Sequence, residues 1–171
     1  MNGRTRTVWW QRSWLTIQQE FSDLGDPEGI TRLVVRMLVA VLLGGLLGYE
    51  RETSGAAAGL RTHMLVSLGS ALFVLIPLQA GMTIADLSRV LQGVTAGIGF
   101  LGAGAILKRK DESDIKGLTT AASVWLTAAV GVSAGMGRET TAVLSTVFAL
   151  VILGLLRLPG RGHREPGPPT S

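Results

Sequence analysis

Five long apolar stretches, nearly free of charge, alternate along this chain with short segments that hold most of its lysine and arginine. The stretches cover residues 33–49, 62–85, 90–107, 117–137 and 140–156. Each approaches the roughly 20 residues with which a helix crosses the apolar core of a bilayer. A segment inside lipid must satisfy its backbone hydrogen bonds internally, which favours helices packed side by side. The pattern predicts an all-α integral membrane protein, with a bundle of about five transmembrane helices in residues 32–157.

The two terminal segments differ from this apolar region. Within residues 1–31, apolar side chains recur at alternating spacings of four and three, which places them on one helical face. They are Trp10, Trp14, Ile17, Phe21 and Leu24. Aromatic residues on such a face predict an amphipathic helix in the membrane interface, ended by Pro27 and Gly29; packing on a partner subunit is the alternative. Residues 158–171 are rich in proline and glycine, which predicts a disordered tail.

Composition and charge narrow the class of protein. Hydrophobic residues make up 47% of the 171 residues and charged residues 16%, whereas a soluble domain carries about 25% charged residues. The net charge of +4 comes from basic residues between apolar stretches, a placement typical of topology signals and anionic-lipid contact. We therefore expect no nucleic-acid partner. Cysteine is absent, and His63 and His163 stand far apart, so we expect neither a metal site nor a cofactor.

The same basic residues predict the orientation in the membrane. With five spans, segments 50–61 and 108–116 and the C-terminal tail fall on one side, and all three are rich in arginine or lysine. The opposite side has Arg89 and Arg138 in its loops and an acidic stretch before the first span. Because positive residues concentrate on the cytoplasmic side, we expect a cytoplasmic C-terminus and an external N-terminus.

Glycine is frequent inside the apolar stretches. Small residues four apart, which let helix backbones approach closely in lipid, occur at 44/48, 93/97 and 131/135. The densest run, residues 97–104, matches G-x-G-x-x-G by letter, but it lacks the preceding strand and following acidic residue of a dinucleotide site. We expect a helix here against which neighbouring helices pack tightly.

Hydroxyl groups follow one another along the fourth stretch, at Thr119, Thr120, Ser123 and Thr127, with Trp125 among them. Such hydroxyls bond to a neighbouring helix or back to their own chain. The alternative is that they line a path for a solute.

Charged residues in or near the spans are informative because burying them in lipid is costly. Arg36 lies well inside the first span, and Asp86 and Arg89 lie at the same level near the start of the third. We predict that Arg36 or Arg89 pairs with Asp86; the alternative is that Arg36 extends to the outer headgroups. A second group forms an ion-pair network or a solvated rim at the cytoplasmic side; it comprises Glu50, Arg51, Glu52, Arg61, His63 and Lys116.

No Asp or Glu falls near the middle of any predicted span. Magnesium is usually held by carboxylates, and transporters place their sites near the membrane midplane. Gln92, Thr95 and backbone carbonyls would have to bind an ion alone, which disfavours a coupled divalent-cation pump. Motifs of serine hydrolases, zinc proteases and P-loop enzymes are also absent, so we expect no enzymatic activity.

Four ordered motifs resemble the membrane domain of the MgtC/SapB family over most of the chain. They are residues 43–52 (LGGLLGYERE), 58–63 (AGLRTH), 92–107 (QGVTAGIGFLGAGAIL) and 115–125 (IKGLTTAASVW). The resemblance implies a bacterial inner-membrane protein of about five spans, linked to growth in low magnesium and to survival inside macrophages. It also implies regulation of the F-type ATP synthase through membrane contacts.

Two departures from that family bear on function. Longer members continue into a cytoplasmic ACT-type domain where this chain has its tail, and some virulence-associated members carry Asn at the position of Thr119. The leading hypothesis is a small regulatory membrane protein, able to self-associate; the alternative is a channel or carrier for an ion or small solute. The residues expected to contact the partner or solute are Glu50, Arg61, Gln92, Gly97, Gly99, Gly102, Gly104, Thr119, Thr120 and Trp125.

Overall fold

The computed structural model describes residues 4–20, 26–106 and 117–155, and within these ranges every regular element is an α-helix. The six helices are α1 (Arg4–Glu20), α2 (Pro27–Thr53), α3 (Leu60–Gln79), α4 (Ile84–Ala105), α5 (Leu118–Gly135) and α6 (Glu139–Leu155). The last five correspond to the five predicted spans. The tail predicted for residues 158–171 lies outside the described residues.

The start of α2 corrects the prediction for the N-terminal segment. Asp26 caps this helix, its carboxylate accepting from the backbone N–H groups of Glu28 at 3.1 Å and Gly29 at 3.3 Å. Pro27 occupies the first helical turn, where its missing N–H removes no intrahelical bond. Pro27 and Gly29 therefore begin α2 rather than end the preceding helix.

Helix α1 makes no contact with the other helices among the described residues. Trp10, Trp14 and Ile17 are exposed on it, and the rings of Trp9 and Trp10 stack with centroids 4.9 Å apart. Phe21 and Leu24 lie outside the described residues. An uncovered aromatic helix is compatible with the membrane interface, and that location stays a prediction.

Helices α2, α3 and α5 form the centre of the bundle, and their interior holds Leu47, Leu75 and Val130. Short connections make α2 and α3 antiparallel, while α3 and α5 run in the same direction. Helix α6 packs on α2 and α5; α4 packs mainly on α5 and touches α3 over a shorter length. The bundle thus has a closed centre and an edge helix, α4.

Three described helices are long and apolar enough to cross a membrane, namely α2, α3 and α5. Helix α6 is apolar but shorter, and α4 contains Asp86, Arg89 and Gln92. The all-α membrane class is confirmed.

Close packing in the centre occurs at glycines. A Cβ atom added to Gly44 would lie 2.7 Å from the His63 carbonyl oxygen, and one added to Gly48 would lie 2.7 Å from the Leu60 Cα. On α5, Gly131 lies directly against the Ser67 carbonyl and Gly135 lies against α3 one helical turn farther on. These glycines bring α2 and α5 against α3 at backbone contact distance, and α2 and α5 also pack on each other.

Candidate functional site

The glycines of α4 are open, in contrast to those of the centre. A Cβ atom added to Gly93, Gly97, Gly99 or Gly104 would meet nothing within 4 Å, whereas one on Gly102 would lie 3.6 Å from the Ala121 side chain. The prediction that neighbours pack tightly along residues 97–104 is therefore wrong except at Gly102. The reason is that α4 lies against α5 with one side and diverges from α3, which leaves most of its surface uncovered.

A groove of about 620 Å³ separates α4 from α3. Its walls are almost entirely apolar; they comprise Leu65, Val66, Gly69, Ser70 and Phe73 of α3 with Val90, Gly93, Val94, Gly97, Ile98 and Leu101 of α4. Ser70 is 3% exposed, and its hydroxyl has no hydrogen bond to any described residue. The groove therefore combines glycine, apolar walls and one unused polar group.

A second exposed face of α4 lies opposite the groove. It carries Gln92, Ala96, Gly99 and Ala103 at spacings of four, three and four, so that these residues form one line along the helix. The Gln92 amide is exposed and makes no hydrogen bond within the described ranges, whereas the Thr95 hydroxyl donates to the Leu91 carbonyl at 2.8 Å. An amide facing lipid without a partner is unfavourable, which makes this face suited to another polypeptide.

The hydroxyls of α5 are packed inside the bundle. Thr120, Ser123 and Thr127 are buried, and the latter two donate to carbonyls of their own helix at 2.8 Å. The groove between α3 and α4 is lined by other residues. Thr119 and Trp125 point outward and are exposed. Of the two alternatives, this conformation supports internal hydrogen bonding.

His63 is a site residue that sequence reasoning placed only at the edge of a span. Its side chain is completely buried between α3 and α5. The imidazole Nδ1 lies 2.9 Å from the Gly59 carbonyl oxygen, and Nε2 lies 3.2 Å from the Ser123 hydroxyl. A carbonyl only accepts, so Nδ1 carries a proton and donates to Gly59. The signal that pointed to His63 was its place at the end of the AGLRTH motif.

Acidic residues organise the end of the bundle that contains the α2–α3 connection. The Glu52 carboxylate accepts from the Leu60 N–H at 2.8 Å and thereby caps α3. Glu50 accepts from the Ser54 hydroxyl at 2.7 Å and lies 3.9 Å from Arg51. Arg61 is exposed beside an open depression of about 390 Å³, and Lys116 lies outside the described residues. Part of the predicted ion-pair network therefore exists, and it holds the α2–α3 connection in place.

The predicted pairing of Arg36 or Arg89 with Asp86 is wrong. Arg36 Nε lies 3.9 Å from Glu139, and its guanidinium donates to the Gly135 carbonyl at 3.2 Å. Asp86 instead accepts from the Thr83 hydroxyl at 2.7 Å at the start of α4. Helices α2 and α4 do not touch in the described structure, because α3 and α5 lie between them. Arg89 is exposed.

The ten predicted contact residues thus fall into separate places. Glu50 and Arg61 lie at the α2–α3 end; Gln92, Gly97, Gly99 and Gly104 lie on the open surface of α4; Gly102 and Thr120 are buried, and Thr119 and Trp125 face outward from α5. Among the described residues, no group of three or more His, Asp or Glu side chains is placed to hold a metal ion. The largest uncovered set lies on α4.

These features define a class: a small helical membrane protein whose edge helix presents glycine on an open lateral surface. Comparison with known proteins names the family. Residues 37–160 match the model of the MgtC family, and the chain belongs to it.

Three relatives illustrate the range of similarity. Protein SrpB of Synechococcus elongatus is 46% identical over 150 residues, which cover 81% of each chain. Protein MgtC of Brucella abortus is 45% identical over 120 residues, covering 69% of this chain and 48% of the relative. The protein of Escherichia coli K12 named "Putative magnesium transporter YhiD" is 39% identical over 127 residues, covering 70% of this chain and 58% of the relative. The chain therefore spans about half the length of these last two relatives. No solved structure matches.

Proposed function

We propose that this protein is a regulatory membrane protein in the adaptation of bacteria to low magnesium, and that it acts by lateral contact with another membrane protein. The observation that carries the proposal is the open α4 face formed by Gln92, Ala96, Gly99 and Ala103. Family membership and the magnesium in the name of YhiD support the physiological setting. The inner membrane, with the C-terminus in the cytoplasm, is the location that we propose. Survival inside host cells is a second setting that the family resemblance suggests.

The chemistry of the α4 face explains why a helix would bind there. Small side chains at heptad-like spacing let a second helix approach until backbone atoms touch, which supplies the van der Waals contact that drives association in lipid. The Gln92 amide provides both a donor and two acceptor lone pairs for a polar group on that helix. The membrane-embedded part of the F-type ATP synthase is the partner that the family resemblance suggests.

Ion transport by this chain is the second candidate. It is favoured by the name of YhiD and by the polar Gln92 on α4. Against it stand the packed hydroxyls of α5 and the absence of a carboxylate cluster in the described ranges. A carrier would need a conformation in which those hydroxyls become accessible.

A crosslinking experiment tests the partner. A photoreactive amino acid placed at Ala96, on the open face, is expected to capture a specific membrane protein from native membranes grown in low magnesium. The matched control carries it at Val151, which is exposed on α6. Gly99→Leu should abolish the capture, and Gly154→Leu, at an equally open glycine of α6, should leave it intact. Equal capture at both positions would contradict the proposal.

Reconstitution separates the two candidates. Purified protein in liposomes with an internal magnesium indicator is expected to show no flux above that of empty liposomes. A magnesium flux that disappears in Gln92→Ala and persists in Gln79→Ala, an exposed glutamine at the end of α3, would favour the carrier. Capture of ATP synthase subunits without flux would favour the regulator.

A further inference from the structure

We propose that the groove between α3 and α4 is the docking site for α4 of a second copy of this chain. The two copies would lie parallel and be related by a twofold axis along the membrane normal. Phe100 of the second copy would enter the groove of the first, and the reverse contact would form by symmetry. This contact uses the groove side of α4 and leaves the Gln92 face free, so it goes beyond the proposed function and does not depend on it.

The Ser70 hydroxyl gives the groove one polar group that a bound helix can satisfy. Ser70 is 3% exposed, lines the groove near the middle of α3, and has no hydrogen bond to any described residue. A hydroxyl left unpaired in an apolar environment is unfavourable. The hydrocarbon tail of a lipid has no acceptor at that depth. A helix does, because each backbone carbonyl retains a second lone pair where small side chains leave it accessible.

The length and position of the groove also favour a helix. It runs along α4 from Val90 to Leu101, about 16 Å at 1.5 Å per residue. This length includes the middle of both α3 and α4. Acyl chains of the two leaflets meet end to end at the middle of a core about 30 Å thick, so no single chain follows the whole groove. A transmembrane helix crosses the midplane without interruption.

The groove flank and the Phe100 flank of α4 are complementary, so a second copy of the chain fits the groove. Gly93, Gly97 and Gly104 form a line with open space in front of it. At about 100° per residue, Leu101 lies some 40° from Gly97 on the groove flank, and Phe100 lies about 60° from it on the other flank. When two identical parallel helices face each other across a twofold axis, each meets the opposite flank of its neighbour. The aromatic flank of one copy therefore faces the groove of the other.

Size matches at this contact. Phe100 is 81% exposed, the largest exposed fraction among the large hydrophobic side chains of the described residues. The groove that faces it is bordered by Gly69, Gly93 and Gly97, whose missing side chains leave room for a ring. Two turns before Phe100 on the same flank, Gly93 would bring a position without a side chain to the depth of Ser70. That placement exposes backbone carbonyls of the second copy to the Ser70 hydroxyl.

Cysteine crosslinking tests the geometry directly, because the chain contains no cysteine of its own. Gly97→Cys, next to the axis, is expected to give a disulfide-linked dimer in native membranes under mild oxidation. Val151→Cys on α6 is the control and should stay monomeric. Phe100→Cys and Gly69→Cys, carried by two differently tagged copies, should crosslink to each other. When Val151→Cys is used in place of Phe100→Cys in that pair, no crosslink should form.

A second measurement, the mass of the purified protein, does not require a disulfide crosslink. The mass of the purified protein in mild detergent or in nanodiscs should be that of a dimer, and Phe100→Ala should weaken association by about tenfold or more, which corresponds to 1.4 kcal/mol. Leu144→Ala, at another exposed position on α6, should leave the mass unchanged. A monomer that retains a lipid in the groove, or crosslinking at Gly97 no stronger than at Val151, would overturn the proposal. Neither result would bear on partner capture at Ala96.

Discussion

Two groups of glycines in this bundle share one sequence pattern and have opposite surroundings. Gly44, Gly48, Gly131 and Gly135 touch the backbone of α3, and a Cβ atom at any of them would overlap it. Gly93, Gly97, Gly99 and Gly104 of α4 face open space. In the first group the missing side chain holds the centre together. In the second group it is available to another helix, which is why interaction, rather than internal packing, is the role we assign to α4.

The largest effect is expected at the closed glycines. In Gly131→Ala the new methyl group would overlap the Ser67 carbonyl, and neither helix backbone can move without disturbing α2 as well. We expect a loss of about 3 kcal/mol or more of unfolding free energy, or no folded protein at all. Thermal unfolding in detergent measures it. Gly154→Ala, at an open glycine of α6, is the control; equal losses in the two variants would contradict the distinction between closed and open glycines.

The second prediction concerns His63, which makes the polar contact between α3 and α5 in the closed centre of the bundle. His63→Ala removes a fully buried ring, its bond to the Gly59 carbonyl and its contact with Ser123. We expect a destabilisation of about 2–4 kcal/mol from the cavity and the lost hydrogen bonds. The same substitution at the exposed neighbour Thr62 should change the unfolding free energy by less than about 0.5 kcal/mol. A wild-type melting temperature in His63→Ala would show that the α3–α5 contact does not depend on the imidazole.

The ion pair at the opposite end of the closed region is expected to have a smaller effect. Arg36 and Glu139 are partly exposed, so their coupling should be about 0.5–1 kcal/mol in a double-mutant cycle with alanine. The matched cycle of Arg36 with Asp86 should give additive effects, since the two residues lie on helices that do not touch in the described structure. Coupling between Arg36 and Asp86, with none between Arg36 and Glu139, would support the pairing expected from the sequence.

The smallest effect, and the opposite sign, is expected at the open glycines. Alanine has a higher helix propensity than glycine by about 0.8–1.0 kcal/mol, and Gly97→Ala meets no neighbouring atom. The isolated bundle in detergent should therefore be unchanged or slightly more stable, whereas dimer formation should weaken. Unfolding and mass measurements on the same sample separate the two effects. If Gly97→Ala lowered the unfolding free energy of a monomeric sample, Gly97 would have to be packed in the same way as the closed glycines.

Much of the architecture was predictable from local pattern. The five apolar stretches correspond to helices α2 to α6, and the four sequence motifs indicated the MgtC family that the family model matches. The partners of particular side chains were not predictable. Arg36 was expected to pair with Asp86 because the two share a level in the membrane, yet depth does not say which helices are adjacent. The same limit applied to Thr120 and Ser123, whose burial depends on α3 lying against them.

The amino-acid sequence by itself determined that this protein is helical and membrane-embedded, because hydrophobic length and backbone hydrogen bonding in lipid are local requirements. Only the tertiary structure decided which glycines are closed and which are open, because a small-xxx-small pair permits close approach without specifying a neighbour. The mutual packing of α2, α3 and α5 makes that choice, and it leaves α4 at the edge with its glycines uncovered.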